Sequence, residues 1–376
     1  MKHLYTLIIL LLSLASFGQS MNTLRGKVLT EDNVPISNVH IQVKGTNIGT
    51  VSNSQGTFKL KIPKKYCDSN LIFSHISYFS IPQEVFCEKK DYLVILPEKT
   101  FELDEVKVSA MSAQQIVANA ILNLNKNYQI DSVNYTIFSR LTEQIENEPI
   151  LIEESVFNLY HENKTRPEFN VIKVRGCGFD KLGEQRFDKA RLIDIHSTEN
   201  HLMLRYIPNF LKKTKMRKYE YDLLDEIFDD DNSYFVIDIT SNEYLKGGII
   251  HVNKDNFGIR YMKIIYDDED WTDMSKTNTI RENYYIQDSG KWYFTHGSRE
   301  QVWHLKKEDI RISSYRVTVA TNRTDTRSFN KSDEMGRMSK MLKDFKGSFN
   351  DEFWGQYNYI PVDEKFERSL TNAKNP

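Results

Sequence analysis

Between residues 24 and 97 the apolar positions recur in short alternating bursts: Val28; Val39, Ile41 and Val43; Phe58, Leu60 and Ile62; Leu71 and Phe73; Val94 and Leu96. A period of two with one apolar face predicts antiparallel strands. Pro35, Gly45, Gly49 and Gly56 separate the bursts, where tight turns need a preset or positive φ. Roughly six or seven strands in about 75 residues suit a two-sheet sandwich.

The period then changes. Ser112 and Gln115 have capping-box spacing, and Ile116, Val117, Ala120, Ile121 and Leu124 follow at helical intervals. Strand-like runs come next at 135–141, 150–160 and 169–174, then a helical stretch from Thr198 broken at Pro208. Further strands are predicted at 219–228, 234–240, 248–253, 259–266, 277–286, 292–295 and 310–321. Residues 254–258 turn the clearest hairpin. Met335, Met338, Met341, Leu342 and Phe345 stripe a further helix between Ser332 and Gly347. In 234–240, Phe235, Ile237 and Ile239 share one face, which must be covered by Ile116, Ile121 and their helical neighbours. Those five residues are expected to line an apolar pocket or to close into core. The fold class is therefore mostly β: an Ig/transthyretin-like sandwich, then a larger antiparallel domain with a curved, half-barrel-like sheet and a few helices.

Composition adds an address. Lys2, an apolar run over 4–14 and the small residues Ser16 and Gly18 form a secretory signal, with cleavage expected before Gln19. That run is shorter than the about 20 residues a spanning helix needs, and no later segment approaches it, so no transmembrane segment is expected in the mature chain. No Cys stands near the cut to take a lipid. The expected organisation is a signal peptide over 1–18, the sandwich over 19–98, a linker over 99–112, the antiparallel domain over 113–330 and a C-terminal helix and tail over 331–376. Fifty basic residues against 52 acidic ones leave neither a nucleic-acid footprint nor an acidic tail.

Several residues carry a family resemblance. The run Gly26-Lys-Val28, Pro35-Ile36, Val39-His-Ile41-Gln-Val43-Lys-Gly45-Thr46, Gly49-Thr50 and Gly56-Thr-Phe58, with Ile76-Ser-Tyr78 and Leu103-Asp-Glu105-Val106, resembles the carboxypeptidase-regulatory-like domain. That is a transthyretin-like sandwich of Gram-negative envelope proteins. Asn53 and Ser77 depart from the residues the family often has, Asp and Gly. The resemblance implies placement or interaction and no catalytic residue. It covers about a fifth of the chain. The later pattern resembles the half-barrel of periplasmic lipoprotein carriers, and the whole arrangement, with its closing Phe353-Trp354-Gly355-Gln-Tyr357, resembles an uncharacterised group of envelope proteins.

Candidate chemistry is sparse. His196 and Glu199 have the spacing of a zinc pair, with His296 or His304 as a third ligand, but chance supplies roughly 0.6 such pairs in a chain of this composition. No metal and no cofactor is expected. Asp229-Asp-Asp231 and Asp267-Asp-Glu-Asp270 lack the alternation and Gly of a calcium loop. Glu153 and Glu154, adjacent on a strand, must point to opposite faces. Lys212, Lys213, Lys215, Arg217 and Lys218 read as a solvated face. A hairpin centred near Ser77 sets Cys67 opposite Cys87, so an oxidising compartment is expected to join them, leaving Cys177 alone. These readings favour a non-enzymatic exported protein, periplasmic or outer-membrane associated, binding an envelope protein or apolar ligand. The alternatives are a metal-dependent hydrolase at His196/Glu199 and an accessory subunit of an outer-membrane receptor or polysaccharide system.

Overall fold

The computed structural model describes residues 21–85, 88, 91–99, 111–128, 130–162, 166–189, 198, 201–229, 232–241, 245–333 and 349–374. The alternation predicted for the N-terminal part folds into two layers. One orders β4 (Thr57–Pro63), β1 (Met21–Leu29) and β7 (Asp91–Ile95), and the other β3 (Gly49–Val51), β2 (His40–Val43), β5 (Asn70–His75) and β6 (Tyr78–Glu84). Leu24, Val28, Ile41, Phe58, Leu60 and Phe73 fill the space between them.

The larger part is one open antiparallel sheet of eleven strands. Its order is β10 (Glu168–Gly178), β9 (Glu148–Glu162), β8 (Ser132–Ile145), β18 (Ile310–Thr324), β17 (Lys291–Leu305), β16 (Met274–Asp288), β14 (Ile259–Tyr266), β13 (Leu245–Asn253), β12 (Asn232–Ser241) and β11 (Tyr219–Asp229), with β15 (Glu269–Asp270) beside β16. The last strand, β18, returns to pair with the first, β8, so the sheet is stitched by a contact between distant ends of the sequence.

Helix α1 (Ala113–Tyr128) lies on one face. The capping box forms in both directions: Ser112 N–H donates to Gln115 Oε1 at 2.8 Å, and Gln115 N–H to Ser112 Oγ at 3.3 Å. Its apolar stripe meets Phe235, Ile237, Ile239, Ile250 and Ile264 in a single core. At the other end Tyr128 OH donates to Ile259 O and accepts from Ile259 N–H, both at 2.7 Å. In the 254–258 hairpin, Asn253 Oδ1 accepts from the N–H groups of Asp255 and Asn256 at 3.0 Å, a side chain imitating a backbone turn.

Two expectations are revised. After His201 the predicted helical stretch runs as turns and single 3-10 turns: Arg205 and Leu211 N–H bond three residues back, to Leu202 O and Pro208 O, while Tyr206 N–H reaches four back, to Leu202 O. Pro208, with no N–H, cannot extend an α-helix there. Helices α2 (Lys181–Lys189) and α3 (Glu364–Lys374) were not anticipated, since each offers few apolar residues. The Met-striped helix falls mostly outside the described residues. Among those described, no helix is long and apolar enough to cross a membrane.

Candidate functional site

Strand register aligns aromatic residues on the face away from α1. His251 stands opposite Tyr261, Tyr261 opposite Tyr284, and Tyr284 opposite His296. Opposite residues share a face and touch. Ring centroids are 5.1 Å apart for His251–Tyr261, 4.9 Å for Tyr261–Tyr284 and 4.1 Å for Tyr284–His296. A bulge after Tyr284 turns Tyr285 and Phe294 the other way, into the core. One β17 segment thus serves the core and the opposite face.

The sandwich covers this face. His40, on β2, continues the ring row by stacking on His296 at 5.5 Å. Val51 enters a cluster with Phe138, Val156, Val317, Val319 and Trp354. Polar pairs hold the approach: Arg323 Nη2 donates to Asn47 Oδ1 at 2.9 Å, and Tyr315 OH to Asn38 Oδ1 at 3.3 Å. The C-terminal segment straps both parts. Asn358 Oδ1 accepts from Lys61 N–H at 2.6 Å while its Nδ2 donates to Lys61 O at 3.1 Å, so one amide occupies the backbone groups of β4. Beneath the strap, Glu154 accepts from Arg140 Nε at 2.7 Å and Arg175 Nε at 2.5 Å, and Arg140 Nη1 donates to Pro361 O at 2.9 Å. All three charged side chains are buried.

Between sandwich and sheet a cavity of about 290 Å³ remains, lined by His40, Ser74, His75, Arg260, Tyr284 and His296 among others. Asp229, at its wall, is ion-paired with Lys99 at 3.1 Å and with Arg260. Burial holds the imidazoles neutral: His40 is pushed down to about 4, and His75 to about 4 by burial and the charges of Lys99 and Arg260. His296 is driven well below the ordinary range by burial, then by its histidine neighbours. Burial also raises Tyr284 far above the usual phenol value.

Phe235, Ile237, Ile239 and Ile116 belong to the core beneath α1, and Ile121 packs at its margin. A small cavity of about 30 Å³ lies along that core near Tyr128, Met203 and Phe294. His196, Glu199 and Cys87 lie outside the described residues. His304 bonds Asp309 at 2.8 Å, remote from the His40–His296 stack. Among the described residues no group of three His, Cys, Asp or Glu is placed to hold a metal ion. Glu153 and Glu154 do face opposite ways, and the acidic turn at 267–270 is ion-paired by Lys246, Lys276 and Lys306. Lys212, Lys213, Lys215, Arg217 and Lys218 are all exposed. Cys67 is disulfide-bonded, and Cys177 carries a free thiol.

Sequence reasoning missed the interface cavity. Its histidines, His40, His75 and His296, come from three strands, and only the alternation of Tyr261 and Tyr284 with core residues hinted that their face was covered.

Three solved structures are distantly similar. A LolA superfamily protein from Nitrosomonas europaea is similar over 60% of this chain and 99% of its own, at 11% identity and a TM-score of 0.23. A putative outer membrane lipoprotein-sorting protein domain from Vibrio parahaemolyticus covers 59% and 96%, at 8% identity and a TM-score of 0.27. A DUF1329 family protein from Desulfovibrio piger covers 59% and 96%, at 10% and 0.26. Similarity at this level is no guide to function. None of the curated proteins matches the chain. The sandwich is assigned more firmly, for residues 24–108 match the family model of the CarboxypepD_reg-like domain.

Proposed function

We propose that this is an exported, non-enzymatic binding protein of the cell envelope whose ligand occupies the cavity between the sandwich and the large sheet. The carrying observation is that cavity of about 290 Å³, walled by both parts of the chain and lined by three imidazoles, three phenols and a guanidinium. Ligand sites favour such junctions and usually measure about 300–1,000 Å³, so a compact polar molecule is the fitting occupant. Polar donors and acceptors converge there from His40, Ser74, Arg260 and Tyr284.

A binding rather than catalytic role is supported by the titration of the walls. Acid–base catalysis works best with a pKa near the operating pH, whereas His40 and His75 sit at about 4. His40, His296 and Tyr284 also cover one another's ring faces. Export rests on the N-terminal signal. Native mass spectrometry of the protein isolated undenatured from envelope should show a bound small molecule that denaturation releases. Ser74→Trp, which fills the cavity from β5, should lose it. A wild-type chain of bare polypeptide mass, or a Ser74→Trp chain that keeps the adduct, contradicts the reading.

A further inference from the structure

Between residues 205 and 219 the chain carries six basic residues and no acidic one, although its overall balance is 50 basic against 52 acidic. The fold sets these cations on one bend. Phe210, Leu211 and Met216 are buried in the core beneath α1, and Tyr221 OH donates to Phe210 O at 2.8 Å, so the segment is pinned inward on both sides of its lysines. Lys215 N–H donates to Lys212 O at 2.8 Å and Lys218 N–H to Lys215 O at 2.9 Å, two successive turns. Lys212, Lys213, Lys215 and Arg217 are left exposed on them.

Along the chain this charge is only partly offset. Lys212 Nζ donates to the neutral amide of Asn209, at 3.1 Å. The carboxylates next in sequence, exposed Glu220 and Asp222 on β11, number two against these four cations. Further along β11, Glu226 is paired with Lys254, and Asp229 with Lys99 and Arg260. Beside the bend lies a largely apolar cleft of about 410 Å³, lined by Leu204, Tyr206, Ile207 and Tyr266 together with Arg205 and Lys212. Tyr206 is 36% exposed. Because Lys212 belongs to both, bend and cleft form one surface, in which cations border apolar and phenolic side chains. None of these residues lines the cavity between sandwich and sheet.

We propose that this surface, residues 204–217, docks on an anionic phospholipid membrane, with Lys212, Lys213, Lys215 and Arg217 against the phosphates and Tyr206 among the glycerol groups. Cations within a Debye length of such a surface, about 8 Å, add their attractions, each a gain of about fivefold in binding. Their apolar stems lie along the surface while the charged tips reach the headgroups. Tyrosine, apolar in body and polar at its tip, suits the boundary between headgroup and acyl chain. Charge alone would equally attract a soluble polyanion. The exposed phenol and apolar cleft beside the charge favour a lipid surface, which offers phosphate and hydrocarbon together.

The test uses the full mature chain, floated with phosphatidylcholine vesicles that do or do not contain phosphatidylglycerol. Binding is expected to the vesicles with phosphatidylglycerol, to fall in high salt, and to be absent from phosphatidylcholine alone. Lys212→Gln/Lys213→Gln/Lys215→Gln should weaken it roughly a hundredfold, about fivefold for each charge removed. That variant should melt at the wild-type temperature, because all three side chains are exposed. Lys64→Gln/Lys65→Gln/Lys307→Gln removes as many exposed cations elsewhere and should bind as wild type does. A wild-type chain that does not float overturns the proposal. So does a first triple variant that floats like wild type, or a second that loses as much as the first. Equal affinity for heparin in solution would assign a soluble polyanion and would also overturn membrane docking.

Discussion

The imidazole of His40 on the sandwich stacks on that of His296 on the large sheet, with centroids 5.5 Å and planes 14° apart. Neutral rings tolerate that contact, whereas two imidazolium ions would repel. His40 is lowered to about 4, His75 to about 4, His201 and His251 to about 3, in each case first by burial, and His296 lies well below its ordinary value of 6.5. Below pH 6.5 the unfolded chain takes up protons that the folded chain refuses, so stability falls with acidification. Glu153, raised to about 7 from 4.5, acts in the opposite sense and loses its contribution as pH rises through that window. Five histidines outweigh one carboxyl. The urea midpoint should therefore be level above about pH 6.5 and decline toward pH 4. His40→Phe should make that decline shallower. An unchanged slope would show that His40 protonates freely in the folded chain.

Glu154 holds two buried arginines under the C-terminal strap. Glu154→Gln keeps the shape but removes the carboxylate that Arg140 and Arg175 share, and breaking a buried pair in this way costs about 3–5 kcal/mol. Urea unfolding of the variant measures the loss. A change below about 1 kcal/mol would show that the strap does not depend on the triad.

The bridge from Cys67 is predicted to end at Cys87. Asn70 pairs Glu84, and Leu71 pairs Gln83, so the same register carried three residues outward sets 67 against 87. Closing a loop of about 20 residues should contribute roughly 3 kcal/mol on the chain-entropy model. One free thiol per unfolded, unreduced chain is the expected titration; three would reject the bridge.

What the sequence revealed and what it hid follow from the range of the interactions. The sandwich strands, the α1 capping box and the shared face of Phe235, Ile237 and Ile239 are local patterns, and each formed as read. The cavity is not local. His40, His75, Tyr284 and His296 come from β2, β5, β16 and β17; strand register pairs Tyr284 with His296, and the packing of the sandwich against the sheet brings His40 onto them. Polar residues such as Arg140 and Glu154 alternate with core positions as solvent-facing residues do, and nothing in the alternation tells that the sandwich and strap will cover them.

The central claim, a ligand between sandwich and sheet, is tested most directly by a high-resolution crystal structure of the protein purified undenatured from its native envelope. The account predicts connected density for a small polar molecule in the cavity, within hydrogen-bonding distance of Arg260 and at least one of His40, Tyr284 and His296. A cavity holding only separate ordered waters, or one closed by direct contact between the sandwich and β16, would contradict it.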